Sequence, residues 1–400
     1  MNFTLPRLNL RRGFTPIIVL LVVAVLAVAT YFIWNKLNLK APGNSAQPVT
    51  IKVGILSPLT KELSDYGISL RDGATLAAQE INNEGKVKIE LVEKDEEGSP
   101  ELSKKLAAEL GDDPNVVGII GPITSTDVLA DGPVAGSKKV ALISPSATNP
   151  KISGLSEYVF RVCPSDSQQG KELAAFVLNN LKTNRVAVLV DNAEKSKDYS
   201  QGLADVFAAE FKRLGGTVAV TDTYKTGDAD YTRQLAAIKA AGDVKVIFLP
   251  GYTTEAALLS QAIKKQGLDI RVVGGDGVGE GVMNGELIKA GGAAVEGLIA
   301  TSFFDPNDPA PDVQGFIKAY QAKFGKAPSW VAANSYDAMK VIAASAEKVG
   351  KADKVQIAQQ ISASKGVDGL DRMISFDKNG DVSSSILKLE IKGGKYQIFK

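Results

Sequence analysis

The sequence predicts an α/β protein with two similar lobes, each built on a parallel central sheet, and a cleft between them. Three observations lead there. Short β-branched runs alternate with amphipathic helical segments from about residue 50 to about residue 375. Hydroxyl-rich stretches directly follow several of those runs. Parts of that pattern then recur about 130 residues further on.

Composition sets the outer limits. The chain has 400 residues, 44% hydrophobic and 23% charged, which is ordinary globular usage and long enough for two domains. A net charge of +1 gives no sign of a nucleic-acid surface. There is no histidine, and Cys163 is the sole cysteine. Ser-His-Asp and Cys-His catalysis, histidine-ligated metals and cysteine zinc sites are therefore excluded. No intrachain disulfide can form. Cys163, in FRVCPSD, reads as a small buried residue near a strand end. No convergent nucleophile and base is visible, and no cofactor or metal is implied, so the expectation is a non-catalytic protein.

Residues 1–16 are basic, with Arg7, Arg11 and Arg12. Ile17–Trp34 then runs for 18 residues without a charge. As a helix it would span roughly 27 Å, about one bilayer core. Tyr31, Phe32 and Trp34 stand at its exit, like an interfacial aromatic belt. This predicts an uncleaved transmembrane anchor at 17–34, with 1–16 cytoplasmic and the rest outside the membrane. A cleaved signal peptide is the alternative. Residues 35–48 (NKLNLKAPGNSAQP) read as a polar linker.

Strands are expected at Ile51–Leu56, Val87–Val92, Val116–Ile120, Val140–Ile143, Val186–Val190, Val218–Tyr224, Val244–Leu249 and Arg271–Val273. Helical segments fall between them: Leu70–Asn82, Leu102–Leu110, Gln169–Leu181, Gly202–Leu214 and Tyr231–Ala241. Alternation of this kind gives right-handed βαβ units. After Leu298 comes the loop FFDPNDPAPD, followed by helices Val313–Phe324 and Asn334–Val349. Ile374–Phe376 and Ser384–Ile391 flank DKNGD, a hairpin signal.

The stretch 116–150 organises the rest. Val116–Ile120 is a buried-type strand stopped by Gly121-Pro122, and Thr124, Ser125 and Thr126 crowd the start of a helix. Val140–Ile143 is followed by Pro145 and the hydroxyls of Ser146 and Thr148. Both loops lie at the carboxyl ends of neighbouring strands, where open α/β sheets bind ligands. Hydroxyls and a helix N-terminus suit a small anion such as a carboxylate; helix capping alone is the bland alternative. GPITS at 121–125 lines up with GYTTE at 251–255, and Ser146 with Asp276, both offset by 130 residues. Tyr66 in SDYGISL lines up with Tyr199 in KDYSQGL. Two edges of this kind, facing each other, make a cleft. The glycine-rich run GGDGVGEGVMNG lacks the GxGxxG spacing, because Glu280 stands where the third glycine is needed. It reads as a flexible loop at a hinge or cleft wall.

From about Val49 onward the chain resembles the substrate-binding proteins of branched-chain amino acid ABC transporters, the leucine/isoleucine/valine-binding protein family. The pieces that carry the likeness are IKVGILSPLT, SDYG, EKDEEGSP, GIIGPITST, LISPSATNP, RVCPSDSQQG, KDYSQG, FLPGYTTEA, VVGGDGV and FDKNGDV. The resemblance implies the type I periplasmic-binding-protein fold: two Rossmann-like lobes with parallel central sheets joined by a hinge. It implies lobe 1 at 49–163 plus 301–375 and lobe 2 at 164–300 plus 376–400. It also implies ligand-binding roles for Tyr66, Ser125, Ser146, Thr148, Tyr199, Tyr252 and Asp276. Asp276 stands where the family has Glu, which keeps the charge and shortens the reach. The family's disulfide is missing, with Gly98 and Thr124 at its places. Ile123 and Thr124, with Trp330 or Val331, are expected to line the side-chain pocket.

The function expected is extracytoplasmic capture of an amino acid, branched-chain or otherwise apolar, for delivery to ABC permease subunits, with tethering to the cell membrane. A ligand-sensing ectodomain, or a site for an amide, urea-like compound or aromatic acid, is the alternative.

Overall fold

The computed structural model describes residues 48–399, together with Val28 and Thr30. The predicted anchor at 17–34 lies outside the described residues except for those two. Among the described residues no helix is long and apolar enough to cross a membrane.

Five strands form the first sheet: β1 (Val49–Ser57), β2 (Val87–Asp95), β3 (Val116–Ile120), β4 (Ala141–Ser144) and β5 (Val159–Arg161). Their order is β2-β1-β3-β4-β5, and all pairs are parallel. The second sheet takes β6 (Arg185–Asp191), β7 (Thr217–Tyr224), β8 (Val246–Leu249), β9 (Arg271–Gly274) and β10 (Ile299–Ser302). Read from its far edge, its order β7-β6-β8-β9-β10 repeats the first sheet strand for strand. The repeat seen in the sequence is therefore a repeat of topology. Two antiparallel strands extend the second sheet, which is not purely parallel. After the small antiparallel pair β11 (Lys365–Asp368) and β12 (Met373–Ser375), β13 (Leu387–Lys392) pairs with β10, and β14 (Lys395–Ile398) pairs with β13.

The central strands β3, β4, β6 and β8 are rich in Val, Ile, Leu and Ala with almost no exposure, as strands covered by helices on both faces require, while the edge strands β2 and β7 are partly exposed. The helix Trp330–Val349 lies along the helix Ser64–Glu84 and belongs with the first sheet. The two backbones cross closely at Gly73, where a Cβ would stand 2.1 Å from the carbonyl oxygen of Ala332. Strand β10 runs through the predicted 300/301 boundary and lies wholly in the second sheet.

Two local expectations are corrected. The glycine-rich run is no flexible loop: Asp276–Met283 is a helix. Its glycines serve close packing. A Cβ on Gly279 would meet the Thr301 carbonyl oxygen at 1.7 Å, and one on Gly277 the Gly251 carbonyl oxygen at 2.5 Å. DKNGD does turn, with the Gly380 N–H donating to the Asp377 carbonyl at 3.1 Å. The strands on either side of it, however, join different sheets and do not pair. Strands β5 and β10 had no sequence expectation.

Beneath the GPITST loop lies a cluster of buried carboxyls: Glu96, Asp127 and Asp131, each 0% exposed. Glu96 accepts the Ser99 N–H at 3.1 Å, Asp127 the Thr124 hydroxyl at 2.6 Å and Asp131 the Ser103 hydroxyl at 2.6 Å. The second oxygen of each has no partner. Burial pushes Glu96 up to about 8, Asp127 to about 7 and Asp131 to about 8. An unfolded carboxyl titrates near 4. The stability these groups contribute in neutral form is thus complete below about pH 4 and is lost as pH rises through 7 to 8. The melting temperature of the full chain should fall between pH 5 and pH 8.5, and Asp127→Asn should flatten that slope. Thermal scans across this range check it; a flat profile for the wild type would contradict it.

Candidate functional site

A narrow cavity with about 10 Å3 of free space sits where the strand ends of the two sheets face each other. The first sheet contributes Tyr66, Ile123, Ser125, Ser146 and, from the helix packed on it, Trp330. The second contributes Tyr199, Tyr252, Asp276 and Gly277.

The first wall follows from capping chemistry. Thr124 is the N-cap of the helix Ser125–Lys138, its hydroxyl accepting the Asp127 N–H at 3.1 Å. That places Ser125 in the first turn, where backbone N–H groups have no intrahelical partner. The Ser125 hydroxyl accepts the Asn149 N–H at 3.2 Å, tying this turn to the SPSATNP loop. Ser146 donates to the Ile123 carbonyl at 2.7 Å, bracing the same two loops. Arg161, fully buried, holds the SPSATNP loop from behind: it donates to the Asn149 carbonyl at 3.0 Å and pairs with Asp381 at 2.7 Å.

The second wall centres on Asp276, the first residue of the helix Asp276–Met283 and 3% exposed. One carboxylate oxygen accepts from Gln169 Nε2 at 2.8 Å and from the Tyr199 hydroxyl at 3.0 Å. Gln169 also donates to Asp166 at 2.7 Å, and its carbonyl accepts the Asp276 N–H at 3.1 Å and the Thr301 hydroxyl. Burial pushes Asp276 up to about 6, against the pull of the Gln169 and Tyr199 hydrogen bonds. Asp166 is pushed well above the usual carboxylate range, first by burial and then by the negative charge of Asp276. No Lys or Arg lines the cavity.

Contacts between the walls close the cavity. The Tyr66 hydroxyl donates to the Gly277 carbonyl at 2.7 Å and meets the Thr253 hydroxyl at 2.7 Å. Trp330 Nε1 donates to the Asp276 carbonyl at 3.2 Å. The Tyr66, Tyr252 and Tyr199 rings form a chain, with centroids 5.4 and 5.5 Å apart.

Six of the seven predicted residues thus meet at one cavity: Tyr66, Ser125, Ser146, Tyr199, Tyr252 and Asp276. Thr148 does not line it, because its hydroxyl donates to Asp166 at 2.9 Å. Ile123 and Trp330 line it as expected. Thr124 instead serves as a helix cap, and Val331 is packed in the core. Sequence reasoning assigned no role to Asp166, Gln169, Arg161 or Glu280. The charged or amide residues inside FRVCPSDSQQG were the available signal for the first three. Among the described residues no group of three or more His, Cys, Asp or Glu side chains forms a metal-ligating set.

A family model described as periplasmic binding protein matches residues 50–395. A Leu/Ile/Val-binding protein homologue of Brucella melitensis is 31% identical over 346 residues, covering 85% of this chain and 90% of that one. The crystal structure of a leucine binding protein from Thermotoga maritima has a TM-score of 0.80 at 31% identity, over 88% of this chain and 98% of the other. A branched-chain amino acid transporter substrate binding protein from Streptococcus pneumoniae, solved with isoleucine, has a TM-score of 0.80 at 28% identity, over 88% of this chain and 99% of the other. Strand order, cavity position and these likenesses agree, and the chain belongs to the periplasmic binding proteins, in the family of the Leu/Ile/Val-binding proteins.

Proposed function

We propose that this protein captures an α-amino acid with an apolar side chain in the cavity between its two sheets and delivers it to ABC permease subunits. One observation carries the reading: a buried carboxylate, Asp276, and a helix N-terminus bearing Ser125 sit on opposite walls of one small cavity. A zwitterion has the complementary pair of charges. Its ammonium fits Asp276, and its carboxylate fits the hydroxyl and first-turn N–H groups at Ser125. The seven residues Tyr66, Ser125, Ser146, Thr148, Tyr199, Tyr252 and Asp276 are proposed as the ligand site, with Thr148 acting through Asp166. The similarity to proteins named for leucine, isoleucine and valine supports the ligand class. The lobes are proposed as 49–163 plus 303–375, shifted from 301 by the extent of β10, and 164–302 plus 376–400. Lobe 1 supplies the donors and lobe 2 the acid, so ligand favours the closed arrangement.

L-Leucine should bind the full chain, and Asp276→Asn should weaken it by about 3 kcal/mol, roughly a hundredfold in Kd. The carboxylate form is the one that pairs with an ammonium. With Asp276 at about 6, affinity should fall as pH drops from 7.5 to 5. Titration calorimetry on both proteins checks this. Unchanged binding by Asp276→Asn, with 4-methylpentanoate binding as well as leucine, would overturn the assignment.

Residues 17–34 are proposed to tether the binding domain to the outer face of the cell membrane. The full chain should then fractionate with membranes and keep its N-terminus. A mature chain that begins near residue 35–45, free in solution, would overturn the tether.

A further inference from the structure

Glu280 is 0% exposed, and no part of the proposed ligand site uses it. It lies one helical turn beyond Asp276, on the same face of the helix Asp276–Met283. Its Oε2 accepts the Val331 N–H at 3.3 Å, and the hydroxyls of Ser329 and Ser69 face the same carboxylate. All three partners belong to the first lobe: Ser69 to the helix Ser64–Glu84, and Ser329 and Val331 to the start of the helix Trp330–Val349. Its other oxygen is buried without a partner.

The helix Trp330–Val349 has no acidic residue in its first turn. Negative charge there is favourable, because the first N–H groups of a helix are unpaired and the macrodipole is positive at that end. The second lobe supplies a buried hydrogen-bond acceptor there, and, because burial pushes Glu280 up to about 7, a full negative charge above that pH. The supply is also rigidly mounted. Gly279 seats the helix Asp276–Met283 against the Thr301 carbonyl of β10, and Gly281 seats it against Thr253, where a Cβ would stand 2.0 Å from the hydroxyl oxygen. Any separation of the two lobes at this point must pull Glu280 off the helix end.

We infer that Glu280 is a positioning residue that latches the closed cleft, capping the first-lobe helix Trp330–Val349 from the second lobe and so slowing ligand release. This rests on the cleft-binding function proposed above. Ligand meets the open cleft before the two helices touch. The latch therefore acts on departure and leaves capture unchanged.

The test is stopped-flow fluorescence on the full chain, with L-leucine as probe and Trp330, at the cavity wall, as reporter. Glu280→Ala should raise koff about tenfold, equivalent to about 1.4 kcal/mol, with kon within about twofold of wild type. Glu280→Gln keeps an acceptor for the Val331 N–H and should raise koff less. A merely structural residue would lower the melting temperature of the ligand-free chain without separating the two rate constants. An unchanged koff in both variants, or a kon that falls in step with affinity, overturns the latch while leaving the binding function intact. A wild-type chain that gives no leucine signal, by fluorescence or calorimetry, overturns the amino-acid reading and the latch with it.

Discussion

The arrangement of the site depends on one side-chain amide. Gln169 has two N–H donors and two carbonyl lone pairs, and all four are used. The donors go to Asp166 and Asp276; the carbonyl takes the Asp276 N–H and the Thr301 hydroxyl. A saturated amide of this kind cannot rotate without losing several bonds in a dry interior, where each lost bond leaves a polar group unpaired. It therefore fixes the Asp276 carboxylate before any ligand arrives. Side-chain ordering that would otherwise oppose binding is already complete. The same amide ties the helix Asp166–Asn179 to β10 and to the start of the helix Asp276–Met283, three elements far apart in the chain.

The second-lobe elements that present the proposed ammonium partner also carry the contacts that close the cleft. Tyr66 reaches Gly277 and Thr253, Trp330 reaches the Asp276 carbonyl, and Glu280 reaches Val331. At the rim, Lys195 pairs with Glu62, and Asn149 donates to the Asp198 carbonyl at 2.5 Å. Ligand recognition and closure are therefore not separable jobs of separate regions. A ligand that pulls on Asp276 pulls on the helix that docks the first lobe through the Asp276 carbonyl and Glu280. That gives the differential affinity for the closed state that a conformational change requires.

Much of this was legible in the chain itself. Eight of the strands and the paired lobes followed from β-branched runs, loop hydroxyls and the repeat at GPITS and GYTTE; the six cavity residues were named through the resemblance to the Leu/Ile/Val-binding protein family. The missing parts share a physical reason. β5 (VFR) and β10 (IATS) lack the apolar β-branched run that marks the equally short β4, β8 and β9, and β10 is recognisable only by its neighbours β9 and β13. The glycines of 275–281 look like flexibility because sequence does not reveal the backbone that crowds each Cβ position. Thr148 sits in the expected loop, but the direction of its hydroxyl is decided by Asp166, 18 residues away. Gln169 reaches Asp276 and Glu280 reaches Val331, partners more than 50 residues distant, which no local pattern encodes.

The cavity's own asymmetry bears on which side chain it accepts. Its polar groups gather at two places, Asp276 on one wall and the Ser125 and Ser146 loops on the other. In the proposed binding mode both are taken by the backbone end of an α-amino acid. The remaining surface is Ile123, Trp330 and the faces of Tyr66 and Tyr252; the Tyr66 hydroxyl and Trp330 Nε1 are already bonded across the cleft. A ligand side chain with a charge would lose its water there and find no partner, a penalty much larger than that of a missing methylene. An aliphatic side chain loses nothing polar and gains contact. Discrimination of this kind comes from what the wall withholds as much as from what it offers. The proposed ammonium partner acts in the same direction: the Asp276 carboxylate is held back against Gln169 and Tyr199 and does not reach towards the side-chain end.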